Sequence, residues 1–424
     1  MKHDSFSIFG HKMAAHSGIV ELMDDLGKAM AGHEEMLMLG GGNPAGIPQM
    51  QAIWRQDMAA LLEDQKRFDR VLCHYDIPQG SPRFLEAVAA LFREEYGWDI
   101  GPQNVAVTNS SQNAYFMLLN MLAGERADGS HGKILLPVTP EYIGYADQGL
   151  SEDMFVACKP LISEIGDHQF KYHVDFDNLV LGDDIAAVCV SRPTNPTGNV
   201  LTDDEVRRLA ALTKERGIPL LIDNAYGAPF PSIIFGDAEP HWDEHVILTL
   251  SLSKLGLPGT RTGIVIASEA IIAAVASANA IISLASGTIG QALVVGHMES
   301  GRILQFSREI VRPFYEARLH RALDFVEASF DQHLPWRLHR CEGALFLWLW
   351  CRDMPIDSRT FYERLKARGV LVVPGRYFFY GLDEPWPHQD QCIRINYSQP
   401  ETTVREGLRI IGEEMQKAYS SRSM

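Results

Sequence analysis

The sequence predicts an α/β protein of two parts: a mainly parallel seven-stranded sheet covered by helices on both faces, followed by a smaller α+β domain. Three observations predict it. Short β-rich runs alternate with longer amphipathic ones from about residue 85 to 300, as strands joined by crossover helices do. Several of the short runs, such as Ala186-Ala187-Val188-Cys189-Val190 and Val246-Ile247-Leu248-Thr249-Leu250, are close to uniformly apolar, which marks buried strands. At 424 residues, two domains are the natural count.

The strands of the large sheet are expected at 105–108, 134–138, 155–158, 186–191, 218–223, 246–250 and 263–267. Helices are expected between them, including 112–123 and 203–216. The second opens on Thr202-Asp203-Asp204-Glu205, an N-cap followed by an acidic first turn. A long helical stretch over 300–331 leads out of the sheet, and Pro313 should kink or divide it. The smaller domain takes strands from Ala344 to Trp350, from Val370 to Val373 and from Cys392 to Asn396. The segment 374–391, rich in aromatics, proline and glycine, reads equally as a lid and as a packed surface loop. The expected division is 1–48 as an N-terminal segment, 49–305 as the large domain and 306–424 as the small one.

Composition excludes several functions. A formal net charge of −16 with no Lys/Arg block argues against a nucleic-acid partner. No apolar run reaches the ~18 residues of a membrane span, and Met1-Lys2-His3-Asp4-Ser5-Phe6 lacks a signal-peptide core, so a cytoplasmic setting is expected. The six cysteines are scattered without a CxxC pair and read as reduced thiols. Asn109-Ser110-Ser111 matches a glycosylation acceptor, which has no use without secretion. His388 and Cys392 have no third ligand of matching spacing, so no metal is expected. Gly40-Gly41-Gly42 lacks the GxGxxG spacing of a dinucleotide fingerprint and instead lets backbone approach a small molecule.

Chemistry concentrates where strands end, which is where open parallel sheets assemble their ligand sites. Lys254 lies in Ser251-Leu252-Ser253-Lys254-Leu255-Gly256-Leu257-Pro258-Gly259-Thr260-Arg261, directly after an apolar strand. A lysine there is ordinarily a solvated surface charge. Here an amine able to condense with an aldehyde stands beside two hydroxyls and a guanidinium able to hold a phosphate. Three further strand ends add to it: Asp223 with Tyr226, then Asn195 in Arg192-Pro193-Thr194-Asn195-Pro196-Thr197-Gly198, then Ser110, Ser111 and Gln112 at the start of a helix.

In this order, and together with Gly40 to Pro44, Tyr75, Gly80, Pro140-Glu141-Tyr142 and Arg394, these segments resemble the class I/II aminotransferases of the fold type I pyridoxal phosphate enzymes. The resemblance spans nearly the whole chain. It implies pyridoxal 5′-phosphate as cofactor, with Lys254 as tether and proton carrier and Asp223 paired with the ring nitrogen. Tyr226 and Asn195 would bond the cofactor's 3′ oxygen, and Tyr142 would stack on the ring. Ser110, Ser111, Gln112, Ser251, Ser253 and Arg261 would hold the phosphate. Tyr75 would reach the phosphate of a neighbouring subunit, which implies a homodimer. Arg394, with Asn195 and backbone near Gly41, would clamp the substrate carboxylate, and the N-terminal segment would pack on the small domain. The wording of His16-Ser17-Gly18-Ile19, Gly40 to Pro44, Pro140 to Asp147 and Ser191 to Asn199 is similar to the branch that pairs aliphatic amino acids with pyruvate. The partners would then be amino acids and 2-oxo acids.

Two other classes compete: a lyase or synthase using the same lysine and aspartate, and a non-enzymatic sensor on the same scaffold. Such sensors carry an N-terminal helix-turn-helix domain, and about forty residues before Gly40 are too few for one.

Overall fold

The structure is a computed structural model that describes residues 5–15, 18, 20, 24, 27 and 36–420; His16, Ser17 and Ile19 of the N-terminal motif lie outside them. The large sheet runs in the order Val105–Thr108, Gly263–Ile266, Val246–Ser251, Leu220–Asp223, Ile185–Ser191 and His131–Leu136. Beyond these, Phe155–Ala157 pairs in parallel with His131–Leu136. Gly263–Ile266 is antiparallel to both its neighbours, and the pairs from Val246–Ser251 to Phe155–Ala157 are parallel. All seven expected strands are present. An eighth, Gly124–Glu125, forms a short antiparallel pair on His131–Leu136.

Period-two alternation explains the uniform apolarity. Val105, Val107, Leu220, Ile222, Leu248 and Ile264 join one buried cluster, while Ala106, Leu221, Ile247 and Val265 join the other. Each strand therefore feeds a core on both faces. The expected strand ends shift where proline intervenes: the strand expected to 138 stops at Leu136, before Pro137, and the one expected from 218 starts at Leu220, after Pro219. Helix Asp203–Glu215 carries the expected capping box, with Glu205 N–H donating to Thr202 Oγ1 at 3.1 Å and Thr202 N–H to Glu205 Oε2 at 2.8 Å.

The stretch expected at 300–331 is helical over Arg302–Gln305, Phe306–Val311 and Arg312–Ser329. Phe306–Val311 is a wide π turn, and Pro313 falls in the first turn of the segment after it. The loosened turn lies where the proline ring would otherwise collide with a carbonyl.

The second sheet runs Val373–Pro374, Cys392–Asn396, Phe346–Cys351, Trp336–His339, Gln169–His173 and Leu161–Ile165. Its last two strands form a hairpin to which the sequence reading assigned no strand. It comes from within 49–305 yet pairs in parallel with Trp336–His339. Leu37–Met38 pairs in parallel with Val370–Leu371, which ties the N-terminal segment to the C-terminal part of the chain. The segment 374–391 is packed: Phe378, Phe379 and His388 are buried, and the Phe378 carbonyl accepts from Glu141 N–H at 2.9 Å.

Candidate active site

Strand register brings the candidate residues to one edge of the large sheet. Asp223 pairs with Ser191 on one side and Thr249 on the other, and Ser251 pairs with Gly263. Loops leaving these strands wall a cavity of about 610 Å³. Ser110, Ser111, Gln112, Tyr142, Asn195, Asp223, Tyr226, Ser251, Ser253, Lys254 and Arg261 line it, and Gly41 and Arg394 close it from the N-terminal segment and the second sheet.

One end of the cavity is built for an anion. Ser110 caps helix Ser111–Leu122, its Oγ accepting from Asn113 N–H at 3.3 Å, and the first N–H groups of a helix point at whatever lies beyond it. The cap sits unusually close to the sheet because residue 263 is glycine. A Cβ there would come within 2.4 Å of the Ser110 carbonyl carbon. Ser110 itself holds φ of 100° and Arg261 φ of 48°, two non-glycine residues in the left-handed region on the wall of one cavity. Ser253 N–H donates to Ser251 Oγ at 3.1 Å, which orients that hydroxyl.

At the centre lie an amine and a carboxylate. Lys254 Nζ donates to the Gly42 carbonyl at 2.7 Å and stands 5.1 Å from the centre of the Tyr226 ring. Burial and the nearby Arg394 and Arg261 guanidinium groups push its pKa down to about 8 against the pull of Asp223. Burial raises the Asp223 pKa, opposed by hydrogen bonds from the Tyr145 hydroxyl and Ala225 N–H and by the Lys254 charge. The result is a lysine that can lose its proton close to physiological pH and a carboxylate held in a buried wall.

At the far side Arg394 forms a fork. Its Nη1 donates to Asn195 Oδ1 at 2.7 Å and its Nη2 to the Gly40 carbonyl at 2.6 Å. The guanidinium carbon lies 4.3 Å from the Phe346 ring centre and 5.2 Å from that of Phe378. Arg394 is 2% exposed, and its Nε is buried with no hydrogen-bond partner among the described residues. A cation so enclosed suits a planar carboxylate. Arg394→Lys is expected to raise the KM of amino and oxo acid together, about tenfold or more, while cofactor binding holds. Loss of cofactor affinity instead would make Arg394 a phosphate ligand.

Tyr75 is the one candidate the structure does not bring to this cavity. It is 78% exposed and lines a second cavity with Asn109, Thr260 and Gly287. Exposed Leu72, Ile77, Ile281, Ile282 and Leu284 occur in the neighbouring chain segments.

Several residues given no role by the sequence reading belong to the site. Asn396, two residues beyond Arg394 on the same strand, donates to the Gly41 carbonyl at 2.5 Å. The period of two carries that signal. Glu141 accepts from Ser191 N–H at 2.9 Å, Ser191 Oγ at 2.6 Å and Tyr142 N–H at 2.7 Å, and burial pushes its pKa up to about 8. Tyr145 donates to Asp223 Oδ2 and is fully buried. His388 and Cys392, weighed above as ligands, lie elsewhere, with His388 Nε2 2.5 Å from the Tyr172 hydroxyl and 3.7 Å from Cys392 Sγ.

Known proteins are similar to this chain along nearly their full length. The chain is 50% identical to valine–pyruvate aminotransferase of Escherichia coli K12 over 98% of its own length and 99% of that protein's. A solved valine-pyruvate aminotransferase from Salmonella typhimurium LT2 superposes with a TM-score of 0.88 at 47% identity, covering 95% of this chain and 100% of that one. A putative amino-acid aminotransferase from Psychrobacter arcticum 273-4 gives 0.95 at 41%, covering 98% and 99%. Residues 59–411 match the model of the class I and II aminotransferases, and the chain belongs to that family.

Proposed function

We propose that the protein is a pyridoxal-phosphate-dependent aminotransferase that moves the amino group of L-valine to pyruvate, giving 3-methyl-2-oxobutanoate and L-alanine. The carrying observation is the Arg394 fork set across one cavity from the Lys254–Asp223 pair. The 50% identity to a valine–pyruvate aminotransferase supports the choice of substrates. The donor set fits the cofactor: an amine for its carbonyl, a buried carboxylate for its ring nitrogen, and hydroxyls, a guanidinium and a helix N-terminus for its phosphate. When bound, pyridoxal phosphate supplies a carbonyl for the amino group and a ring that accepts electron density from the substrate α-carbon.

In this reading Lys254 would tether the cofactor and would move the proton at the substrate α-carbon. Its lowered pKa lets it act as acid and base near neutral pH. Asp223 would supply the negative charge that keeps the ring nitrogen protonated. Tyr226 and Asn195 would hold the 3′ oxygen, Tyr142 would pack on the ring, and Ser110, Ser111, Gln112, Ser251, Ser253 and Arg261 would hold the phosphate. Arg394, with Asn195 and the Gly41 backbone, turns the substrate so that its α-carbon faces Lys254. The residues 49–305 would carry the cofactor, and 306–424 with the 1–48 segment would carry the clamp. Tyr75 would complete the phosphate site of a second copy, and the exposed apolar residues near it support a homodimer. A cytoplasmic setting accords with six free cysteines.

The substrate choice follows from charge. Among the described residues the only cations lining the cavity are Lys254, Arg261 and Arg394, and no arginine lies between Arg261 and Arg302. A second carboxylate on the substrate side chain would be desolvated unpaired, whereas an apolar one meets no such penalty. With a panel of amino donors against pyruvate, valine should rank among the best, and aspartate should fall at least about a hundredfold lower in kcat/KM. Aspartate turnover equal to valine turnover would overturn this. Valine alone should release one equivalent of 2-oxo acid per subunit and stop. Continuous turnover without acceptor would point to a lyase.

A further inference from the structure

Asp223 is oriented from behind by one tyrosine. The Tyr145 hydroxyl donates to Asp223 Oδ2, while Ala225 N–H donates to Oδ1 at 2.9 Å. Each carboxylate oxygen therefore has one lone pair engaged by the protein and one left for a donor in the cavity. The two anchors together stop the carboxylate from turning about its own bond.

Tyr145 is in turn held on every side. It lies in the one-turn helix Ile143–Ala146, with its N–H donating to the Tyr142 carbonyl at 3.1 Å. Its ring stacks on Tyr115 with centres 4.4 Å apart and planes at 28°, and meets Tyr142 edge-on at 5.1 Å. Thr249 Oγ1 donates to the Tyr115 hydroxyl at 3.4 Å, so this buried polar wall continues onto the strand beside Asp223. Burial keeps the Tyr145 and Tyr115 phenols neutral, so Tyr145 acts as a donor and adds no charge.

We propose that Tyr145 is a positioning residue for the reaction: its buried hydroxyl fixes the plane of the Asp223 carboxylate and holds negative charge on it for the ring nitrogen. The proposal rests on the cofactor reading above. A neutral donor suits the task better than a cation would. A buried arginine or lysine in its place would compete with the ring nitrogen for the charge of Asp223, whereas a hydroxyl stabilises that charge and leaves it available.

Other groups act on Asp223 from the elements around it. Lys254 follows the strand Val246–Ser251, Cys189 stands on the neighbouring strand, and Glu141 and Tyr142 precede Tyr145. The Cys189 thiol is kept neutral by burial, and Glu141 has its pKa near 8. These groups are present in wild type and in a Tyr145 variant alike, so the comparison isolates the loss of the tyrosine donor.

The test is the affinity of the full-length apoprotein for pyridoxal phosphate across pH, read by fluorescence quenching. Tyr145→Phe keeps the ring stack and removes only the donor. Burial raises the Asp223 pKa and the Tyr145 bond lowers it, so without that bond Asp223 protonates at higher pH as acid is added. Tyr145→Phe should bind the cofactor about tenfold more weakly than wild type at the acid end of the pH range, with the gap narrowing as pH rises and the carboxylate ionises in both. Tyr172→Phe deletes an equally buried hydroxyl in the other sheet and should leave the pH dependence unchanged. A Tyr145→Phe loss that is absent, or equal at every pH, overturns the proposal. Failure of wild-type apoprotein to bind pyridoxal phosphate at all would overturn the cofactor reading beneath it.

Discussion

Lys254→Ala is expected to abolish transamination, with kcat falling at least about ten-thousandfold, and to remove the visible absorbance of bound cofactor. The amine stands alone in its position. Among the described residues no other lysine lines the cavity, so no neighbour can take over the tether. Because burial and two arginines bring its pKa to about 8, capture of pyridoxal phosphate by wild-type apoprotein should quicken as pH rises through that value, where the neutral nucleophile becomes the major form. Visible absorbance retained by the alanine protein would move the tether elsewhere. The same variant tests the subunit pairing. Mixed with Tyr75→Phe chains, it should yield one site with both residues intact, and activity above that of either parent. No gain on mixing would confine Tyr75 to its own subunit.

Asp223→Ala should cost about a thousandfold in rate and weaken cofactor retention, while Asp223→Glu keeps part of the activity. The loss is electrostatic. Removing the carboxylate leaves the Tyr145 hydroxyl and Ala225 N–H facing a wall with no acceptor, and leaves a ring nitrogen there without its counter-charge. Steady-state kinetics with saturating cofactor separates the two effects, since added cofactor restores occupancy but not rate. An alanine variant near wild-type activity would sink the assignment.

The large sheet was legible because its central strands are buried on both faces. Val105-Ala106-Val107 and Leu220-Leu221-Ile222 need apolar residues on both faces, so a short run of them, too brief for a helix, reads as a strand. The candidate residues at the strand ends were legible for a related reason, since Ser110, Asp223 and Ser251 each stand at or just after the end of such a run. The hairpin Leu161–Ile165 and Gln169–His173 was not. Leu161, Ser163, Glu164 and Ile165 are exposed or polar edge positions with no apolar face to count, and only pairing with Gln169–His173, itself paired with Trp336–His339, gives them a place. Tyr145 and Glu141 were hidden differently. A tyrosine three residues from another tyrosine looks like core packing, and its hydroxyl's partner, Asp223, is fixed by the fold rather than by spacing. Glu141 reads as an ordinary surface acid until burial is known.

The glycine run is stapled to a strand near the opposite end of the chain. Arg394 and Asn396 grip the Gly40 and Gly41 carbonyls, and Asn396 N–H donates to the Leu39 carbonyl at 2.7 Å. During synthesis the first of these segments leaves the ribosome long before the second exists, so Gly40 and Gly41 must wait with their carbonyls in water while the large sheet assembles. On the proposed roles, a nascent chain can thus hold the strand-end residues from Ser110 to Arg261 and still lack the clamp, which arrives only with the last strand of the second sheet.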